Sequence, residues 1–252
     1  MNAPEHDQFG DTRLLIVNAD DFGQSEGINE GVLRAFDDGI VTSASLMIRW
    51  PAATSAAAAA AARPGLSVGL HLDFGEWEFD DGEWRARYAV EGRSDRLVRA
   101  EAERQLDRFR KLVGRDPTHI DSHQHVHTRA PYERPIRDLA ADLRIPLRRR
   151  NGPVGYRGEF YGQSGRGEPF PDGISLEAML SIMRDLRPGI TELGCHPAAF
   201  ADMGGMYAAE RLTELAVLCD QRLCAALRTL GIGLTSFSHL GATNSPILRG
   251  DG

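Results

Sequence analysis

Two adjacent carboxylates, Asp20 and Asp21, and the run Asp121-Ser122-His123-Gln124-His125-Val126-His127 are the residues of this chain best equipped for chemistry. His71 and His196 join them, each near the end of an apolar run. Carboxylate oxygen together with imidazole nitrogen is the donor set of a hydrolytic site built on a hard or borderline divalent cation, with a position left for water. Neighbouring aspartates at a strand end point in different directions, so one can hold the cation while the other takes a proton from water. A lone Asp-Asp pair usually turns a loop or caps a helix, and a lone strand-end histidine usually makes a structural hydrogen bond. Three histidines at alternate positions, in a chain with 8 in all, do not fit that bland account. If their strand continues, its period of two puts Asp121, His123, His125 and His127 on one face. His123, nearest the strand end, is then the best ligand of the three. His119 breaks the phase and is expected to face a helix, while His6 and His239 sit at loose ends.

Such residues need a frame that brings them together. Residues 14–17 form a continuous apolar run of the kind found in buried parallel strands. Further strands are expected over 42–48, 66–72, 118–123, 147–150, 191–196 and 233–237. Helices are expected from Ser25 to Gly39, from Pro51 to the Arg63-Pro64-Gly65 stop, and over 96–113, 131–143, 175–186 and 211–230. Residues 74–95 read as a loop or small excursion, and 151–173 as a long loop. About seven strands alternating with helices predict a parallel α/β architecture. No GxGxxG follows the first strand, so a (β/α) barrel is favoured over an open doubly wound sheet. Without a break in composition, one domain is expected over 13–240, between a polar tail at 1–12 and a loose tail at 241–252. Each candidate residue then falls at the C-terminal end of a strand, the rim on which such barrels build active sites.

Composition narrows the partners. The chain has 252 residues, enough for a core that needs no disulfide or metal to hold it. It carries 29 basic and 36 acidic residues, a net charge of −7 with both signs mixed, which argues against nucleic acid. Three cysteines without CxxC spacing argue against a disulfide framework or a zinc knuckle. Lys111 is the single lysine, so Schiff-base chemistry would have to rest on it. No apolar run approaches the ~20 residues that span a bilayer, and no secretory h-region is present. The cytoplasm is therefore the expected location, and assembly into a homo-oligomer is left open. The two loops hold nine of the 18 aromatic residues, among them Trp77 and Tyr161. Tyrosine and tryptophan combine an apolar face with a polar edge, which suits a sugar ring; a small satellite core is the alternative.

Five segments together resemble a known family. They are Leu15-Ile16-Val17-Asn18-Ala19-Asp20-Asp21-Phe22-Gly23, Gly39-Ile40-Val41-Thr42-Ser43-Ala44-Ser45, Val68-Gly69-Leu70-His71-Leu72, the stretch from Pro117 to His127, and Cys195-His196-Pro197. In this order they resemble the YdjC/ChbG-like carbohydrate deacetylases, a group that includes hopanoid-associated deacetylases. The resemblance runs from about Leu14 to Phe237. It implies a distorted TIM-like barrel, one divalent ion (Mg or Zn) and hydrolysis of an N-acetyl group on an amino sugar or glycoconjugate. By motif position it implies Asp21, His71 and His123 as metal ligands, Asp20 as general base, and His196 as general acid or oxyanion partner. Asp121 and His125 would support the ligands, and Arg148 or Arg150 would contact substrate together with Tyr161 and Trp77. Amidohydrolase and phosphoesterase barrels are the rival enzymes, but they place His-x-His after the first strand rather than mid-chain. An inactive sugar- or metal-binding protein is the other rival, and it would have no need of Asp20 beside the ligand.

Overall fold

The computed structural model describes residues 11–90, 94–150, 154–202 and 207–240. The expected tails at 1–12 and 241–252 lie outside them, apart from Asp11 and Thr12. The chain runs β1 (Arg13–Phe22), α1 (Glu26–Asp37), β2 (Ser43–Leu46), α2 (Ala53–Ala61), β3 (Ser67–Leu72), β4 (Gly75–Asp80), β5 (Glu83–Ala89) and α3 (Asp95–Val113). It continues with β6 (Ile120–Ser122), α4 (Glu133–Leu143), β7 (Val154–Arg157), α5 (Leu176–Arg184), β8 (Gly189–Cys195), α6 (Ala208–Leu218), α7 (Gln221–Leu230) and β9 (Ile232–Leu234).

Seven of the strands form one parallel sheet in the order β6-β3-β2-β1-β8-β7, with β9 also paired to β1. The sheet curls into an incomplete barrel clad with helices, as the alternation of elements predicted. Leu147 makes a lone parallel bridge to Ile120, so the expected strand at 147–150 shrinks to one contact near the open seam. The central strand is β1, flanked on both edges and buried along nearly its whole length, which explains its unbroken run of Leu14, Leu15, Ile16 and Val17. Amphipathic helices then close the outer layer. In α3 the buried face is Val98, Ala102, Leu106 and Phe109, Ser94 caps the start, and Gly114 ends the helix at φ 78°.

Several elements depart from expectation. Of the loop or small excursion expected at 74–95, the structure shows the second, a two-stranded antiparallel hairpin of β4 with β5; Asp81 and Gly82, both at positive φ, make its turn. The loop expected at 151–173 contains β7, which pairs with β8. The helix expected over 211–230 is two helices, because Asp220 restarts the chain by accepting from the Arg222 backbone N–H. The strand through the histidine run stops at Ser122, and His123–Thr128 forms a 3-10 turn in which Gln124 (φ 49°) and His125 (φ 51°) are left-handed. That turn destroys the period of two, so His123, His125 and His127 do not share a strand face. His119 stacks on Phe237, in the short 3-10 helix Phe237–His239, at 3.8 Å between ring centroids.

Candidate active site

The C-terminal rim of β1 carries the two aspartates where the strand loses its regular register with β2. Asp21 is left-handed, at φ 63°, an unfavourable conformation for a residue with a Cβ. This irregularity separates the two carboxylates. Asp21 Oδ1 lies 3.0 Å from His123 Nδ1 and 3.3 Å from His71 Nε2. Asp20 turns instead to Arg148, whose Nη1 and Nη2 donate to it at 2.6 and 2.7 Å.

The donor set of Asp21, His71 and His123 fits a divalent cation. One ligand atom from each lies within 4.8 Å of the others. His71 Nδ1 donates to Asp121 Oδ1 at 2.7 Å, which leaves Nε2 facing Asp21 as the ring nitrogen able to ligate. Asp121 is itself fixed by the Ser45 hydroxyl at 2.6 Å. Asp21 also accepts from Arg211 at 2.5 Å. Burial works against its charge, but Arg211 and His123 outweigh burial and hold the carboxyl well below its ordinary range, so it is an anion. A second group, Asp20, His71 and Asp121, is equally close. There the Arg148 guanidinium already supplies the positive charge, 2.9 Å from Asp121.

Arg148 is a correction to the sequence reading. It does not line the cleft: its side chain is fully buried and ion-paired to Asp20, Asp121 and Glu192, the last at 2.7 Å. Three buried carboxylates crowd one guanidinium. Burial, reinforced by Asp121 and Asp20, outweighs Arg148 at Glu192 and raises that carboxyl to about 7. At Asp20 the balance runs the other way: burial is outweighed by Arg148, and the pKa falls. Arg150 does not reach the site either; it pairs with Glu133 at 3.1 Å. Arg148→Met is expected to destabilise the fold by about 3–5 kcal/mol, because it strands buried charges without a partner. Urea denaturation reads this directly, and a loss under 1 kcal/mol would contradict the network.

His196 follows β8 immediately and stands 3.9 Å from Asp20. Its backbone N–H donates to Glu214 on α6 at 2.5 Å, and its Nδ1 lies 3.7 Å from the same carboxylate. Glu214 also accepts from the Tyr207 hydroxyl at 2.5 Å. Burial disfavours the imidazolium, yet Glu214, with Asp20 and Asp21 beyond it, raises the His196 pKa. Gly31 on α1 admits the segment after His196: a Cβ there would lie 2.4 Å from Ala198 Cα.

Asp20, Asp21, His71, His123, His196 and Arg211 line a cleft of about 820 Å³. Trp77 and Tyr161 form parts of its wall, as does the hairpin residue Trp84. Tyr161 stacks on Tyr207 at 4.5 Å and meets His196 edge-on. Gln124 clamps the hairpin, accepting from the Trp77 backbone N–H at 3.0 Å and donating to its carbonyl at 2.8 Å. Among the described residues no hydrogen bond joins the His125 ring to a ligand candidate; its partner is Tyr156, and burial with the Arg148 charge pushes it down to about 3. Arg211, Glu214 and Glu192 escaped the sequence reading. Glu192 alone left a signal there, a carboxylate inside an apolar strand.

Known proteins bear on this geometry. The family described as YdjC-like protein matches residues 14–229. A carbohydrate deacetylase of Geobacillus stearothermophilus is 36% identical over 248 residues, covering 89% of this chain and 97% of that protein. A chitooligosaccharide deacetylase of Klebsiella pneumoniae (strain 342) is 37% identical over 254 residues, covering 89% and 98%. Among solved structures, a protein of Enterococcus faecalis V583 proposed to cleave cellobiose phosphate superposes with a TM-score of 0.74 at 25% identity, over 91% of this chain and 99% of that one.

Proposed function

The chain belongs to the YdjC-like family and is a carbohydrate deacetylase, and from that premise we propose that it hydrolyses the N-acetyl group of an amino sugar or glycoconjugate. The proposal gives Asp21, His71 and His123 the task of holding one divalent ion, Mg or Zn. Their convergence beside Asp20, in one cleft, is the observation that carries it. When bound, the ion supplies positive charge that polarises the acetyl carbonyl and acidifies a water molecule.

The chain's own groups do the rest. Asp20 is ionised, so it can accept a proton, and Arg148 fixes its orientation through two hydrogen bonds. His196, 3.9 Å from Asp20, delivers a proton to the departing amine. Asp121 orients His71 through Nδ1. Trp77 and Tyr161 offer aromatic surface to the sugar ring. Acetate and a free amino sugar are the products. The same proposal takes residues 13–240 as one domain and places the enzyme in the cytoplasm. The three cysteines are unpaired, which suits a reducing compartment. No helix among the described residues is long and apolar enough to cross a membrane.

The role of His196 has a pH signature. A raised pKa keeps the ring protonated above the usual imidazole range near ~6.5. The rate should therefore stay high through neutral pH and fall on an alkaline limb above that value. His196→Ala should remove the limb and lower the rate on N-acetyl amides. It should cost less on an activated aryl acetate, whose leaving group needs no proton. Equal losses on both substrates would assign His196 to oxyanion binding instead, and unchanged rates would remove it from the mechanism.

A further inference from the structure

One phenol in the cleft is placed by more contacts than packing requires. Tyr156, on β7, has its hydroxyl 3.2 Å from His125 Nε2. The guanidinium carbons of Arg148 and Arg149 lie 5.3 and 5.4 Å from its ring centroid. The backbone makes room for it twice. A Cβ at Gly194 would stand 2.8 Å from the Tyr156 hydroxyl oxygen, and one at Gly158 would stand 2.7 Å from its ring. Gly194 precedes His196 by two residues, and the phenol shares one cleft with Asp20 and His196. It also lines the cleft itself.

The direction of the His125–Tyr156 hydrogen bond decides what the hydroxyl is free to do. A neutral imidazole has one N–H and one lone pair. His125 Nδ1 is buried and has no partner among the described residues. A proton on Nδ1 would therefore be a buried donor with no acceptor, and orphaned buried N–H groups are rarer than orphaned acceptors. The proton belongs on Nε2, and His125 donates to the Tyr156 oxygen. The phenolic proton is then not consumed by His125 and can be offered to the cleft. Burial raises the Tyr156 pKa, so the hydroxyl keeps that proton through the working range.

We propose that the Tyr156 hydroxyl donates a hydrogen bond to the acyl oxygen of the acetamido group, a catalytic donor that stabilises the charge growing on that oxygen during attack. The proposal rests on the deacetylase reading and deepens it. Preorganised donors of this kind are worth about 10²–10³ in kcat. Because the bond is made to charge that exists only in the transition state, kcat and kcat/KM should fall together.

Tyr156→Phe removes the donor and keeps the ring. The expected result is a fall of about 10²–10³ in kcat and kcat/KM alike, with the bound ion retained. The loss should be the same on the N-acetyl amide and on an activated acetyl ester, since both develop the oxyanion. An unchanged rate, a loss confined to KM, or a loss on the amide alone would overturn the proposal. Wild-type enzyme that released no acetate would sink the deacetylase reading instead. A second measurement needs no activity. In ¹⁵N-histidine-labelled protein, with the His125 signals assigned by their loss in His125→Gln, the ring should carry its proton on Nε2. A proton found on Nδ1 would reverse the hydrogen bond and overturn the proposal.

Discussion

Replacing His71 or His123 by alanine removes the divalent ion and, with it, measurable deacetylation. Each histidine supplies one of only three protein ligands proposed, and His71 is held in ligating orientation by Asp121 at 2.7 Å. The loss in affinity should exceed the ~10–100-fold typical of losing a supporting partner. Asp121→Asn provides that smaller step, because it weakens the hold on the His71 tautomer and leaves all three ligands in place. Elemental analysis of the purified variants, beside the wild type at about one ion per chain, measures both effects. The fold should persist in every case, since the core is large and continuous along the sheet and does not depend on an ion. Full occupancy in both alanine variants would refute the ligand assignment. Loss of the folded state in His123→Ala would contradict the claim that the metal serves chemistry rather than stability.

Asp20→Asn should give the opposite pairing of results, an occupied ion and a crippled enzyme. Asparagine keeps the shape and can still accept a hydrogen bond from Arg148, but it cannot take a proton. Turnover should drop by about 10²–10⁴, the range expected for loss of a general base. Arg148 remains tied to Asp121 and Glu192, so the buried cation is not left alone. Ion content and chemical denaturation midpoint are the controls. A variant that loses its ion while Asp21→Asn keeps it would exchange the roles of the two aspartates.

Much of the fold was legible because its signals are local. The apolar run of β1, the Ser94 cap and the Gly114 stop of α3, and the alternation of strand and helix each state their element in a few residues. The rim positions of Asp20, Asp21, His71, His123 and His196 followed from that alternation. The histidine run was the misleading stretch. Period two held only to Ser122, and nothing in Ser-His-Gln-His announces two left-handed non-glycine residues. Their reason is tertiary: Gln124 must turn its amide to clamp the Trp77 backbone. Arg148 was misread because arginines are usually exposed, whereas this one answers three carboxylates from three strands far apart in the sequence. Arg211 and Glu214 were hidden inside an amphipathic helix pattern, where a charged residue ordinarily faces water. Only the packing of α6 against the rim turns them inward, toward Asp21 and His196.

The most direct test of the deacetylase account is acetate release from a panel of N-acetylated amino sugars and oligosaccharides, with and without a chelator. Wild-type protein supplied with Mg or Zn should release acetate and an equal amount of free amine from at least one member. The chelator should abolish the release, and restored metal should recover it. Metal-loaded protein that leaves the whole panel intact, or that releases acetate equally well under full chelation, would contradict the account at its centre.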